Sequence, residues 1–261
     1  MKFQTFWGGR RITPYEVLCL RSFTGWGHEV DLYTYNHELV PKLPGVIMRD
    51  ARDVMPRGEY REETEFFRGH PGVFSDEFRY TLLWERGGWW IDTDVMLLAQ
   101  PPELGMYFAH QDAERVNNAV LCFEPQHPVL LACRDGCRKL RKSGEAKWGY
   151  TGPHLLTRVL AQQNLLWLSA RPRDCYPIEH EDAMAVLLPH YLLWVQSVVQ
   201  HSTFLHLWNA SLVGMDDVDK WVEPPEGSWL SGKVNDLLGD GEWAIWRRWE
   251  AGWKLRERYA S

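Results

Sequence analysis

The amino-terminal part of the chain alternates short apolar runs with one helical pattern. Residues 2–7 form an apolar run typical of a strand, and residues 14–24 have the spacing of a helix that Pro14 begins. Residues 28–35 alternate apolar and polar side chains, which predicts a second strand, and residues 45–48 predict a third. Strand, helix and strand in this order predict a single-domain α/β fold with a mostly parallel, Rossmann-like central sheet flanked by helices.

Similar patterns continue through the rest of the chain. Residues 75–86 have a helical pattern with Ser75 as the predicted N-cap, and Gly87-Gly88 predicts the end of that helix. A short apolar strand is predicted directly after it, over residues 89–91. Further predicted strands are 106–109, 119–123 and 203–208, and further predicted helices are 128–142, 154–163 and 241–259.

Two aspartates follow the apolar strand at 89–91. Asp92 and Asp94 are two residues apart, and strand side chains alternate, so both carboxylates point to the same side of an extended chain. Carboxylate oxygens are hard ligands that hold divalent cations, and a bound cation can hold a phosphate. The pair therefore predicts metal-dependent chemistry on a phosphorylated substrate, although two carboxylates that only cap a loop are the simpler alternative.

The helix before this strand carries a second charged pair. Asp76 and Arg79 are three residues apart and share a helix face. One interpretation is a surface ion pair of little energetic value. The other is that this turn faces the functional site, with Asp76 on a hydroxyl or base edge and Arg79 on a carboxylate or phosphate.

The composition of the chain excludes some classes of partner and indicates a cellular location. The net charge of −6 and the pI of about 5.9 argue against nucleic acid, because binding the phosphate backbone needs a basic face. The 5 cysteines include no C-x-x-C pair, which predicts reduced thiols. The first residues lack the apolar region of a signal peptide, and the longest apolar stretch is too interrupted to span a bilayer. We therefore expect a cytoplasmic protein.

The chain ends in a segment rich in tryptophan and basic residues. We predict one domain over residues 1–240 and a C-terminal helix over 241–261, packed on the domain or appended to it. The helical part, 241–259, has tryptophans at helical spacing among arginines and lysines. Most of the 15 tryptophans are expected to pack in the core, but this helix could also make peripheral contact with the inner face of a membrane.

Several motifs in this order resemble one known family. The first motif comprises Ser75, Asp76, Arg79, Tyr80, Leu83, Gly87, Gly88, Asp92 and Asp94, and the later ones are Asn118-Ala119, Glu124-Pro125, His127-Pro128, Thr151-Gly152-Pro153 and His206-Leu207-Trp208 with Ser211. Together they resemble the DXD-containing glycosyltransferase superfamily of fungal initiating α-1,6-mannosyltransferases, α-1,4-galactosyltransferases, and bacterial capsule and lipopolysaccharide transferases. Phe6-Trp7-Gly8 also matches, with Thr5-Phe6 where that family usually has Ile-His.

This resemblance implies a GT-A fold and a retaining transfer of a sugar from a nucleotide-sugar donor to a glycan or lipid-linked acceptor. The favoured donor is a UDP-sugar, with a GDP-sugar as the alternative. It implies a cofactor, usually Mn²⁺ with Mg²⁺ as the alternative, and a role in cell-surface polysaccharide synthesis. The implied metal ligands are Asp92, Asp94 and His206, and the implied catalytic residues are Asp92, Asp94 and Asn118. The implied donor-binding residues are Phe6, Trp7, Asp76, Arg79, Asp92, Gly152, His206, Trp208 and Ser211.

Three questions stay open at this level. The sequence does not distinguish a glycosyl-enzyme intermediate from attack by the acceptor on the same face, and Glu179, Glu181 and Asp182 are either acceptor-side carboxylates or a solvated loop. A haloacid-dehalogenase-like phosphohydrolase with Asp92 as nucleophile is an alternative enzyme class. A catalytically inactive module that binds sugar nucleotides is the third hypothesis.

Overall fold

The computed structural model describes residues 1–9, 11–58, 72–143, 149–214 and 218–238. The predicted helix over 241–259 and the predicted boundary at residue 240 lie outside these ranges. Within the described ranges, every helix is too short or too polar to cross a bilayer.

The strands form two sheets. The strands are β1 (Lys2–Trp7), β2 (Glu29–Thr34), β3 (Val46–Asp50), β4 (Gly88–Ile91), β5 (Val95–Leu97), β6 (Tyr107–His110), β7 (Val116–Phe123) and β8 (Phe204–His206). The central sheet has 6 strands in the order β3-β2-β1-β4-β7-β6, and β5 pairs with β8 in a second sheet. Strands β3, β2, β1 and β4 are parallel, β7 is antiparallel to β4, and β6 is antiparallel to β7. Only β7 therefore runs against the others, which confirms the predicted mostly parallel sheet.

The helices are α1 (Pro14–Gly25), α2 (Gly72–Arg86), α3 (Pro128–Ser143), α4 (Pro153–Gln162), α5 (Pro172–Cys175), α6 (Leu192–Val199), α7 (Asn209–Gly214) and α8 (Trp229–Leu237). Short 3-10 turns lie at His37–Leu39, Ala51–Asp53, Leu166–Leu168, His180–Leu187 and Pro189–Tyr191. The predicted strands and the helices α1, α3 and α4 are confirmed within one or two residues at most ends.

Helix α1 begins where its local sequence predicts. The Glu16 carboxylate accepts the backbone N–H of Thr13 at 3.0 Å and also accepts the Thr13 hydroxyl, and Pro14 occupies the first turn. A first-turn carboxylate that reaches back to the N-cap amide satisfies one of the helix's free donors. Gly25 is the last residue of the helix rather than the residue after it.

Helix α2 begins earlier than its local signals predict. It starts at Gly72, so the prediction of Ser75 as N-cap is wrong. Phe74 is fully buried and its ring lies 5.6 Å from that of Phe6, so packing against β1 extends the helix past the capping signal. The predicted end is confirmed, because Gly87 follows the last helical residue at a φ of 62°.

Apolar side chains cover both faces of the central sheet. Trp89 packs in one core cluster with residues of α1, whereas its neighbour Trp90 packs in the other with residues of α2 and α3. Successive strand residues point to opposite faces, so a strand covered on both sides is apolar throughout. This explains why β4 has the sequence GWWI, without polar alternation.

The strand directions bring three polar segments to one edge of the sheet. Strands β1 and β4 are parallel and both end there, so Trp7 and Asp92 lie at the same edge of the sheet. Because β7 runs in the opposite direction, its first residues reach the same edge, and the Asp92 N–H donates to the carbonyl of Ala119 at 2.8 Å. Asn118, at the start of β7, therefore lies beside the two aspartates.

Candidate functional site

A cavity of about 450 Å³ opens at this edge of the sheet. Its size suits a small-molecule ligand. Ten of the residues predicted for the site line it, namely Phe6, Trp7, Asp76, Arg79, Asp92, Asp94, Asn118, His206, Trp208 and Ser211. Gly152 lies behind the wall, where a side-chain Cβ would come within 3.1 Å of both Asp76 and Asn118.

Three potential metal ligands converge in the cavity. One ligand atom from each of Asp92, Asp94 and His206 lies within 4.8 Å of the others. His206 is far from the aspartates in sequence, but the pairing of β5 with β8 aligns it with Val95, directly after Asp94. Its Nε2 is 3.2 Å from Asp94 Oδ1, and its buried Nδ1 has no hydrogen-bond partner among the described residues. Two carboxylates, an imidazole and an unsatisfied buried nitrogen fit a cation site.

Trp90 of β4 and Arg79 of α2 hold the Asp92 carboxylate. Its Oδ1 accepts the indole N–H of Trp90 at 2.7 Å and pairs with the Arg79 guanidinium at 2.9 Å. Its side chain is 25% exposed, more than that of Asp94 at 13%. The carboxylate is thus fixed through one oxygen while part of it faces the cavity.

Asp94 is held from the carboxyl-terminal part of the chain. Its Oδ2 accepts the backbone N–H of Asn209 at 2.9 Å, and its own carbonyl accepts the N–H of Leu207 at 2.9 Å. The Trp208 indole N–H donates to the carbonyl of Ile178 at 2.8 Å, and the Trp208 ring packs against His206 at 4.2 Å. His206, Trp208 and Asn209 therefore form the part of the cavity wall beside Asp94.

Asp76 is buried and its oxygens are engaged by the protein. The Asn118 amide donates to Oδ1 at 2.7 Å, and the Thr151 hydroxyl donates to Oδ2 at 2.7 Å. The surface ion-pair interpretation of Asp76 and Arg79 is therefore wrong, since the two residues are only 8% and 3% exposed. The donor-binding role of Asp76 stays a prediction, while its observed contacts join α2 to β7 and to the turn before α4.

Arg79 is the buried cation of the site. Its Nη1 donates to the Asn118 carbonyl at 2.8 Å and lies 3.4 Å from Asp76, and its Nη2 binds Asp92. The guanidinium also lies 5.1 Å from the centre of the Trp90 ring. The predicted carboxylate partner of Arg79 is thus the protein's own Asp92, which it fixes beside Asp76.

The aromatic end of the cavity lies over β1. Phe6 stacks on Phe78 at 4.4 Å and belongs mostly to the core. Trp7 covers Gly9 so closely that a Cβ there would lie 2.6 Å from the indole ring. The buried indole nitrogen of Trp7 has no hydrogen-bond partner among the described residues. Trp7 is therefore the better placed of the two for a ring-shaped ligand.

The other end of the cavity is polar and lies over β6 and β7. Gln111, Arg115, Asn117 and His154 line it. The Asp112 carboxylate fixes this turn, accepting from Gln111 and Arg115. In contrast, Glu179, Glu181 and Asp182 are exposed and outside the cavity wall, which favours the solvated-loop interpretation of those carboxylates.

The two site aspartates have opposite pKa shifts. Burial and the neighbouring Asp94 raise the pKa of Asp92 to about 6, against the lowering effects of Arg79, His206 and the Trp90 hydrogen bond. Burial also acts to raise the pKa of Asp94, but His206, the Asn209 N–H and Lys220 outweigh it and lower that pKa. The pKa of His206 is raised, because the attraction of Asp94 exceeds the effect of burial.

These shifts predict a stability gain for Asp92→Asn at neutral pH in the presence of EDTA. The folded pKa of about 6 exceeds the unfolded value of about 3.9, so the stability that Asp92 contributes at low pH is lost as pH rises through 6. Urea unfolding at pH 7.5 should show the variant about 2 kcal/mol more stable than wild type. The difference should fall to about a third of that value at pH 4.5 and should vanish only below the unfolded pKa of about 3.9.

Asp112→Asn provides a control of opposite sign. Burial acts to raise the pKa of Asp112, but hydrogen bonds from Glu114, Gln111 and Arg115 lower it to about 2. This carboxylate stabilises the fold above its unfolded pKa, and that stability is lost as pH falls through the folded value. Asp112→Asn should therefore be less stable than wild type at pH 7.5, and equal effects of the two substitutions would contradict the assigned shifts.

The sequence does not single out several residues that shape the site. Thr151 and Tyr80 occur in the motifs without a role of their own, whereas Glu16 and Asn209 are not residues of any motif. Asn209 directly follows His206-Leu207-Trp208, so its position beside a motif was the available signal. Glu16 gave only a helix-capping signal, because its contacts with residues near 209 and 220 depend on the tertiary fold.

The family resemblance is confirmed by comparison with known proteins. Residues 61–110 match the family described as "Glycosyltransferase sugar-binding region containing DXD motif". This match includes the whole of α2, the strands β4, β5 and β6, and the Asp92–Asp94 pair. The chain thus combines a GT-A-type fold with a segment, residues 61–110, that is similar to the sugar-binding region of DXD glycosyltransferases.

Individual relatives are glycosyltransferases with α-1,4 specificity by name. Human alpha-1,4-N-acetylglucosaminyltransferase is 29% identical over 151 residues, which are 52% of this chain and 42% of that protein. Human lactosylceramide 4-alpha-galactosyltransferase is 32% identical over 122 residues, which are 42% of this chain and 34% of that protein. The chain therefore matches less than half the length of these relatives.

A solved structure supports the fold. The PaToxG glycosyltransferase superposes with a TM-score of 0.51 at 14% identity, covering 76% of this chain and 78% of that one. At this identity the similarity concerns the fold alone.

Proposed function

We propose that the protein is a metal-dependent retaining glycosyltransferase. It would move a sugar from a nucleotide-sugar donor, with UDP-sugars favoured over GDP-sugars, to a glycan or glycolipid acceptor in cell-surface polysaccharide synthesis. The observation that carries this proposal is the convergence of Asp92, Asp94 and His206 at the edge of the sheet, with both aspartates inside residues 61–110, which match the DXD glycosyltransferase family. The α-1,4-transferase relatives support a galactosyl or N-acetylglucosaminyl donor.

Asp92, Asp94 and His206 would hold the cation. Two carboxylates with an imidazole suit a first-row cation such as Mn²⁺ better than Mg²⁺, which favours oxygen ligands and retained water. When bound, the cation would neutralise the charge that develops on the leaving diphosphate. Arg79 keeps Asp92 in place, and the Asn209 N–H keeps Asp94 in place.

The two ends of the cavity would receive the two substrates. Trp7 offers a ring face for the nucleoside at one end, and the polar groups of Gln111, Arg115 and His154 suit acceptor hydroxyls at the other. The sheet order places β4, with the aspartates, between these ends. The reacting sugar would therefore lie over Asp92 and Asn118.

The site favours attack by the acceptor on the same face over a glycosyl-enzyme intermediate. Among the described residues that line the cavity, the carboxylates are Asp76, Asp92 and Asp94. Asp76 accepts hydrogen bonds on both oxygens, and the other two belong to the proposed cation site. The acceptor oxygen would bond to the anomeric carbon as the bond to the diphosphate breaks, with its proton passing to the departing phosphate oxygen.

A panel of nucleotide-sugars tests this function. UDP-galactose, UDP-N-acetylglucosamine, UDP-glucose and GDP-mannose are each incubated with Mn²⁺, and release of the nucleoside diphosphate is measured. We expect slow hydrolysis of one UDP-sugar that EDTA abolishes, because water can attack the donor in place of the acceptor when no acceptor is present. Binding without hydrolysis or transfer would favour the inactive module, whereas an aspartyl-phosphate analogue on Asp92 would favour the phosphohydrolase.

A further inference from the structure

Glu16 is a buried carboxylate with four donors and no contact with the cavity. It is fully buried, and its Oε1 accepts the Asn209 side-chain amide at 2.6 Å and pairs with the Lys220 ammonium. Its Oε2 accepts from the backbone and hydroxyl of Thr13. Removing a charge from water costs several kcal/mol, so a carboxylate at this depth requires such partners.

Asn209 connects Glu16 to the proposed cation site. Its side chain donates to Glu16, and its backbone N–H donates to Asp94 Oδ2 at 2.9 Å. One residue therefore bridges helix α1 and the second aspartate of the pair. Because the side chain of Asn209 is fixed by a buried charge, the direction of its N–H towards Asp94 is fixed as well.

Lys220 holds the far end of the same segment. Its side chain is only 12% exposed, and its single ion-pair partner among the described residues is Glu16. Asn209, Ala210 and Ser211 line the cavity, whereas Lys220 returns to α1. Glu16 thus binds both Asn209, which lines the cavity, and Lys220, which lies further along the chain.

We propose that Glu16 and Lys220 are positioning residues that set the orientation of Asp94 through Asn209. The proposal rests on the proposed function, since it assigns Asp94 to the cation. Groups that orient metal ligands typically change metal affinity by about 10- to 100-fold when they are removed. If the ion pair were only structural, removing it would change the free energy of unfolding but leave the Mn²⁺ affinity of the folded protein unchanged.

Paired apolar substitutions separate the two roles. Glu16→Leu with Lys220→Met removes both charges together, which leaves neither buried ion unpaired and so limits the loss of stability. Glu16→Gln with Lys220→Met keeps an acceptor for Asn209. The matched control is Asp31→Leu with Lys2→Met and Arg49→Met. Asp31 is a buried carboxylate on β2 outside the cavity wall, and it pairs with Lys2 at 2.8 Å and with Arg49 at 3.2 Å.

The first measurement is hydrogen exchange of the metal-free proteins over residues 207–214. We expect at least tenfold faster exchange in Glu16→Leu with Lys220→Met, because the Asn209 N–H loses its fixed direction towards Asp94. The variant with Glu16→Gln should stay near wild type, and so should the Asp31 control. Unchanged exchange in the first variant would overturn the proposal whether or not the protein binds a cation.

The second measurement is the Mn²⁺ dissociation constant by calorimetry. We expect a 10- to 100-fold weaker constant for Glu16→Leu with Lys220→Met, partial recovery with Glu16→Gln, and no change in the control. Wild-type affinity in a stable Glu16→Leu variant would overturn the positioning role. Failure of wild type to bind Mn²⁺ would instead refute the proposed function, while hydrogen exchange would still decide the role of Glu16.

Discussion

Asp94→Asn is expected to abolish the thermal stabilisation that Mn²⁺ and a UDP-sugar give the protein. A ligand at about 100 times its dissociation constant adds about 2.7 kcal/mol, which corresponds to about 5–10 °C in Tm for a chain of roughly this size. The asparagine keeps the shape of the side chain but loses the charge that faces His206 and the cation. Turnover should fall roughly a thousandfold, about 4 kcal/mol of transition-state stabilisation.

The effect on the ligand-free protein must be measured separately. The pKa of Asp94 is lowered in the folded state, so its carboxylate stabilises the fold at neutral pH and the variant's own Tm should fall. Each ligand-induced shift is therefore taken relative to the Tm of the same variant. Asp112→Asn is the control, since it also removes a carboxylate with a lowered pKa but should keep the full ligand response. A full response in Asp94→Asn would contradict its assignment as a metal ligand.

Arg79→Met should cause the largest loss of stability among single substitutions in the site. Arg79 is 3% exposed and pairs with both Asp76 and Asp92, so its removal leaves two carboxylates without their buried cation. Breaking such a pair typically costs about 3–5 kcal/mol, which corresponds to a Tm lower by about 6–20 °C. Urea unfolding at pH 7.5, with EDTA present, measures this loss.

The dependence on pH identifies the cause of the Arg79 effect. Without the guanidinium, the folded pKa values of Asp76 and Asp92 should rise further, so the cost of their charges disappears as pH falls through those values. The loss should therefore be clearly smaller at pH 5 than at pH 7.5. Arg115→Met is the matched control, because Arg115 lines the same cavity but is 39% exposed, and its pair with Asp112 should contribute less than about 1 kcal/mol. Equal losses at both pH values would assign the effect to hydrogen bonding alone.

The local signals of the sequence predicted most elements but failed where packing decided. The glycines at 87 and 88 end α2 as expected, because positive φ angles there are a local requirement. Ser75 did not begin that helix, because burial of Phe74 against Phe6 stabilises an earlier turn. The local preference of one serine is worth less than the burial of an aromatic ring.

In the candidate site, too, local sequence predicted some features and the packing of remote segments decided others. The spacing of Asp92 and Asp94 after an apolar strand predicted that the two carboxylates share one site. The predicted extended conformation is wrong, because residues 92–94 form a turn between β4 and β5 in which the Val95 N–H donates to the Asp92 carbonyl at 3.1 Å. The sequence also identified His206 through its motif. Its distance from Asp94 depends on the pairing of β5 with β8, which forms between segments that are remote in the chain.

The sequence by itself determined the order of helices α1 to α4 and of every described strand except β5, the two carboxylates, and the likeness to DXD glycosyltransferases. These depend on residue periodicity, spacing and short motifs. The tertiary structure alone decided that Arg79 and Asp76 are buried, that β7 brings Asn118 to the site, and that Glu16 reaches Asn209 and Lys220. The physical reason is that burial and long-range pairing depend on how whole elements pack, and no local pattern of side chains encodes which remote charge will lie opposite another.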